Sequence, residues 1–96
     1  MAKGYWIAFY KSISDPEALK QYVELAMPAF KAGGARFLAR GNPTKVSGLG
    51  LMQRVVVIEF DSVEAAIRTY ESAEYRKAAA VIEGKVERDL RIVEGA

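Results

Sequence analysis

The side chains able to do chemistry in this chain are few, and their types narrow what the chemistry is. Its 96 residues include neither histidine nor cysteine. That excludes serine-histidine and cysteine-histidine nucleophile pairs, zinc centres of the usual kind, iron-sulfur clusters, disulfides and a histidine-ligated haem. What remains is arginine, lysine, carboxylate, tyrosine and backbone. Arg40 and Arg54 lie on either side of a segment rich in turn residues, Gly41-Asn42-Pro43 followed by Ser47-Gly48-Leu49-Gly50. A hairpin there brings the two guanidiniums together, and guanidinium forks suit bidentate recognition of carboxylate or phosphate. Arg40 and Arg54 are therefore the candidate site for a small anionic ligand. The same residues also admit a structural reading, with Arg54 paired to a carboxylate such as Glu59 while Arg36 and Arg40 solvate an edge strand against aggregation.

Glu59 is the candidate catalytic group. It shares a strand face with Val55 and Val57, and partial burial there raises a carboxyl pKa toward a value useful in a general base. Paired instead with Arg54, Arg40 or a tyrosine hydroxyl, it is a structural carboxylate. Asp61 suits a helix cap, and no aspartate-rich loop is present to hold a hard cation. Neither a metal nor a cofactor is expected. Gly48-Leu49-Gly50 lacks the third glycine and the lysine of a phosphate loop and reads as a plain turn. Trp6, Tyr5, Tyr10, Tyr22, Tyr70 and Tyr75 are aromatic enough to line a pocket, and most belong to a core or an interface.

The elements that must position these residues follow from periodicity. Gly4 to Tyr10 is apolar and aromatic on both alternating faces, as in a buried strand. Ser14-Asp15-Pro16-Glu17 starts a helix, with Asp15 as N-cap and Pro16 in the first turn, or Ser14 and Glu17 as a capping box. Leu19, Tyr22, Val23, Ala26 and Phe30 form its apolar stripe. Pro28 is expected to kink it or disturb its last turn, and Gly33-Gly34 ends it. Ala35 to Arg40 alternates Arg36, Leu38 and Arg40 against Phe37 and Ala39. Gln53 to Phe60 is the strongest strand, nearly all β-branched from Val55 to Ile58. Asp61-Ser62 caps a second helix carrying Val63, Ala66, Ile67 and Tyr70, which restarts at Ser72 with Tyr75, Ala78, Ala79 and Ile82. Glu87 to Glu94 is a last strand through Leu90, Ile92 and Val93.

The order β, α, β, β, α, β predicts an α+β, ferredoxin-like fold: a four-stranded antiparallel sheet with two helices on one face. The whole chain, 1–96, is read as one domain. The helices cover one sheet face, yet the first and third strands are apolar on both. An antiparallel sheet with a free face should be polar there, so a second subunit is expected to cover it, most simply as a homodimer through the sheet face.

Charge is unevenly spread. Residues 1–54 carry eight basic side chains against three acidic, and the remainder six against nine. No acidic residue falls between Glu24 and Glu59, a window that holds Lys31, Arg36, Arg40, Lys45 and Arg54. The net charge of +2 is too small to imply nucleic acid. No apolar run is long enough to cross a membrane and no targeting segment is evident. The expected location is cytoplasmic, with neither nucleic acid nor membrane as partner.

Gly4-Tyr5-Trp6-Ile7, Asp15-Pro16-Glu17 with Tyr22, Gly33-Gly34, Arg36 to Gly41, Arg54 to Phe60, Ser72 with Glu74-Tyr75, and Ile92-Val93-Glu94-Gly95 occur here in that order. In that ensemble the chain resembles a family of small bacterial proteins, the DUF1330 family (domain of unknown function 1330). The resemblance implies a dimeric α+β barrel, in which two such sheets pack face to face, and no particular reaction. This chain departs from the family pattern at Ala32, Ala35, Asn42 and Thr69. Related dimeric barrels keep their pockets between sheet and helices, which makes Tyr22 and Tyr75, with Trp6, the expected lining of a ligand site. Two functions are expected on this basis. One is binding of a small anionic or aromatic metabolite, and the other is cofactor-independent monooxygenase, isomerase or decarboxylase chemistry, with Glu59 or a tyrosine as base and Arg40 or Arg54 on an oxyanion.

Overall fold

The structure is a computed structural model and describes residues 2–96. Strand β1 (Gly4–Ile13) leads to helix α1 (Pro16–Ala32), strand β2 (Arg36–Gly41) and strand β3 (Val55–Phe60). Helices α2 (Val63–Glu71) and α3 (Ala73–Ile82) follow, then strand β4 (Val86–Glu94). The strands form one sheet in the order β2-β3-β1-β4, with β1 antiparallel to both β3 and β4 and β2 antiparallel to β3. The most apolar strand and the most β-branched strand thus take the two central places, where burial rewards them most.

Local chemistry sets the helix ends. The Asp15 carboxylate accepts from Ala18 N–H at 3.1 Å with Pro16 at the first helical position. Ser62 caps α2 through Ala65 N–H, and Ser72 both ends α2 and caps α3 through Tyr75 N–H. The second helix is therefore two, bent at one serine. α1 runs through Pro28 to Ala32, so the proline, placed in the last turns, does not end it. Gly33 stands at its C-cap in a right-handed conformation. A side chain there would run into Thr69 Oγ1, so the close approach of α2 is what requires glycine. Gly34, at φ +78, is the position that requires the left-handed conformation.

The core lies between the sheet and the helices. Trp6, Ile58, Phe60 and Tyr75 are its largest fully buried side chains. Trp6 packs edge-on against Phe30 and Tyr75, with ring centroids 5.1 and 4.9 Å away. The opposite sheet face carries Tyr5, Ile7, Phe9, Val55, Val57 and Val93, all half-buried or exposed; Phe9 is 42% and Val93 49% exposed. Among the described residues no helix is long and apolar enough to cross a membrane.

The alternation expected of β2 fails at one residue. Phe37 lies opposite Ile58 on the helix-covered face, but the register shifts at Leu38, so that Ala39 meets Val57 and Arg40 meets Val56. Arg40 consequently leaves the face it was expected to share with Arg36 and joins Phe37. A β-bulge re-aims the side chains that follow it.

Candidate functional site

The register gives the helix-covered face a polar end and an apolar end. At one level, Tyr10 donates its N–H to the Arg54 carbonyl at 3.0 Å on one side and faces Arg88 on the other. One pleat along, Arg40, Val56, Ala8 and Leu90 lie abreast, and one pleat further come Phe37, Ile58, Trp6 and Ile92. α1 lies above with Tyr22, Ala26, Met27 and Phe30. Between sheet and helix is a cavity of about 30 Å³, and Arg40, Arg54 and Arg88 all reach its wall. Its lining among the described residues is otherwise apolar or phenolic and includes no carboxylate.

The three guanidiniums are held differently. Arg40 stacks over the Phe37 ring at 5.1 Å. Arg88 donates from Nη1 to the Tyr22 hydroxyl at 3.1 Å and from Nη2 to the Tyr75 hydroxyl at 2.6 Å, and lies 5.2 Å from the Tyr22 ring centroid. The two hydroxyls are 2.8 Å apart. Arg54 Nε is buried and finds no hydrogen-bond partner among the described residues. An unpaired buried donor costs free energy that an acceptor would recover.

Burial, followed by the neighbouring Tyr75, pushes the Tyr22 phenol well above its usual range. Burial likewise raises Tyr75 and Tyr10. At neutral pH these are phenols, not phenolates. Their proton count is also informative. Each hydroxyl accepts from Arg88 and one donates to the other, so one phenolic hydrogen of the pair remains to be offered elsewhere. The walls of the cavity thus present positive charge and donors in excess of acceptors.

Of the residues singled out from sequence, Arg40, Arg54, Trp6 and Tyr22 come together around this cavity. Tyr75 stands behind them: its hydroxyl joins Tyr22 and Arg88, while its ring borders a separate groove along α3 and β4. Glu59 does not join. It lies on the opposite sheet face, accepting from Arg36 Nε at 2.8 Å and from the Tyr5 hydroxyl at 3.1 Å. The Arg36 bond first, and then Tyr5, hold its carboxyl below the usual range. The expectation of a base with a raised pKa is therefore corrected: cross-strand pairing with Arg36 outweighs partial burial. Asp61 bonds the same guanidinium at 3.0 Å rather than capping α2. Sequence reasoning missed Arg88. Its signal was an arginine in the apolar alternation of Val86, Leu90 and Ile92.

A four-stranded antiparallel sheet in this order, with helices on one face, makes the protein ferredoxin-like α+β. The chain belongs to the DUF1330 family, a domain of unknown function whose model matches residues 3–96. Among solved structures it is similar to a protein of unknown function from Rhodopseudomonas palustris, 17% identical, with TM-score 0.76 over 99% of this chain and 83% of that one. A dimeric ferredoxin-like protein of unknown function from Thermobifida fusca is 19% identical, with TM-score 0.64 over 99% and 91%. SnoaB, a cofactor-independent oxygenase from Streptomyces nogalater, is 7% identical, with TM-score 0.68 over 97% and 92%. At these identities the likeness is one of fold. No curated protein matches the chain.

Proposed function

We propose that the protein binds a small anion between its sheet and α1, held by Arg40, Arg54 and Arg88, and that it does so as a homodimer joined through the open sheet face. The observation that carries the reading is the convergence of three guanidiniums on one cavity whose lining includes no carboxylate. A buried or half-buried cation without a counter-charge is costly, and a bound carboxylate or comparable anion compensates it with charge-assisted hydrogen bonds. Binding fits this site better than proton abstraction. The phenols are held neutral, and Glu59 is engaged on the far side of the sheet. The dimer is supported by the apolar residues on the sheet face that no helix covers, among them the exposed Phe9 and Val93, and by the dimeric state of the Thermobifida fusca protein.

A thermal-shift screen with small carboxylates on wild type and Arg54→Ala tests the binding reading. Wild type should be stabilised in proportion to ligand concentration and the variant should not. Equal shifts in both, or none in wild type, would remove the support for an anion site here.

A further inference from the structure

Arg88 also lines a second concavity, the groove along α3 and β4. Helical spacing puts Tyr75, Ala79 and Ile82 on one side of α3. Val86 and Arg88, two residues apart on β4, line the same groove from the sheet. Tyr70, at the end of α2, belongs to the lining too; it is 45% exposed, with its ring 5.5 Å from that of Tyr75. The groove measures about 620 Å³, within the range of roughly 300–1,000 Å³ that small-molecule sites occupy.

We propose that this groove is a second ligand site, for an aromatic carboxylate, and that Arg88 is the residue that takes the carboxylate. The site does not require an anion in the inner cavity, although one guanidinium borders both. Arg88 is half-buried, and the hydroxyls of Tyr22 and Tyr75 occupy only two of its five N–H groups. Those hydroxyls fix its position but carry no counter-charge, and no carboxylate pairs with it among the described residues. Glu71 and Glu83 line the same groove, yet both are exposed and neither pairs with Arg88 or with Arg76, the second cation there. A fixed guanidinium with free N–H groups recognises a carboxylate by charge-assisted hydrogen bonds, and the apolar and phenolic lining beside it rewards burial of an attached ring. Such a ring has no room in the inner cavity, where about 30 Å³ holds two or three water-sized spheres at roughly 10–15 Å³ each. Ligand size therefore separates the two sites.

Calorimetric titration of the full chain at constant ionic strength tests this, using naphthoate, naphthylmethanol and naphthylmethylamine. Naphthoate should bind about tenfold more tightly than either analogue, or better. Nuclear Overhauser effects should connect its ring protons to the methyl groups of Ala79, Ile82 and Val86. Arg88→Gln should lose the binding. Because that change also takes the donors of two buried hydroxyls and can loosen the fold, Ala80→Glu supplies a second test. It adds a carboxylate at an exposed position on the groove wall and should weaken naphthoate about fivefold or more. Arg54→Ala, which alters the inner cavity alone, should leave naphthoate binding unchanged. Equal binding of the alcohol or the amine, full affinity in Ala80→Glu or in a folded Arg88→Gln, ring contacts on the open sheet face, or no heat with naphthoate up to millimolar concentrations would each overturn the proposal. Loss of naphthoate binding in Arg54→Ala would overturn it as well, by placing the acid at the inner cavity and leaving the anion reading standing.

Discussion

Replacing Arg54 by methionine should make the unliganded protein more stable, which is the reverse of the usual result for a half-buried residue. Arg54 Nε is buried, and the side chain makes no hydrogen bond or ion pair among the described residues. Its carbonyl holds Tyr10 N–H, and that main-chain bond survives the change. Methionine keeps the length and apolar packing of the stem, removes one unpaired donor worth about 1–3 kcal/mol, and leaves two guanidiniums in the cavity instead of three. A gain of about 1 kcal/mol, the low end of that range because the rest of the guanidinium reaches solvent, raises the melting temperature by roughly 4–8 °C in a chain of this size. In wild type, an anion at about ten times its dissociation constant adds a comparable 1.4 kcal/mol or so. Thermal and urea unfolding, followed by Trp6 fluorescence in a zwitterionic buffer without added salt, should show the variant above unliganded wild type and indifferent to acetate. A variant less stable than wild type by about 1 kcal/mol or more in that buffer would refute the reasoning, because it would mean that the guanidinium is already satisfied and structural.

Other consequences are as specific. Tyr75→Phe removes one oxygen without opening a cavity, yet takes the acceptor of Arg88 Nη2 and the partner of the Tyr22 hydroxyl; it should cost about 1–3 kcal/mol in urea unfolding, and a neutral result would mean the hydroxyls are replaceable by water. Gly33→Ala should be destabilising by about 1–3 kcal/mol through overlap with Thr69, and Gly33→Ala with Thr69→Ala should recover much of that loss; no recovery would place the cost elsewhere. Glu59 has its carboxyl held below 4.5 by Arg36 and Tyr5, so its stabilising contribution is present above that pH and fades as pH falls through the lower native value. The stabilities of wild type and Arg36→Ala should accordingly converge on acidification, and parallel pH profiles would show that the pair does not matter. Light scattering at micromolar concentration should report a dimer for wild type and a monomer for Val57→Lys, whereas a wild-type monomer would contradict the covered sheet face.

Much of the fold was legible because local signals agreed with one another. Asp15-Pro16 and Ser62 are caps in sequence and in structure, Ser72 marked the bend between α2 and α3, and Val55 to Phe60 has the composition of the central strand it forms. The site was legible only in part, for reasons of register. Arg40 and Arg54 were identifiable as a cationic pair on either side of a hairpin. Strict alternation, however, puts Arg40 beside Arg36, and only the bulge at Leu38 turns it to the helix side. For Glu59 the sequence offered Arg54, Arg40 or a tyrosine hydroxyl as partners; Tyr5 supplies the hydroxyl, but the arginine is Arg36, which lies opposite it on a neighbouring strand, a pairing that register alone decides. Arg88 was visible as an interruption in the apolar face of the last strand, but its role depends on two tyrosines from α1 and α3 meeting above it. Composition, periodicity and capping specify elements; a bulge and three strand registers specify the cavity.

The central claim is that an anion binds between the sheet and α1, and its location can be observed directly. With saturating acetate, intermolecular nuclear Overhauser effects should connect the acetate methyl to the methyl groups of Ala8 and Ala26 and to the Trp6 ring, and should vanish in Arg54→Ala. Effects confined to residues of the open sheet face, or none under conditions where acetate stabilises the protein, would contradict it.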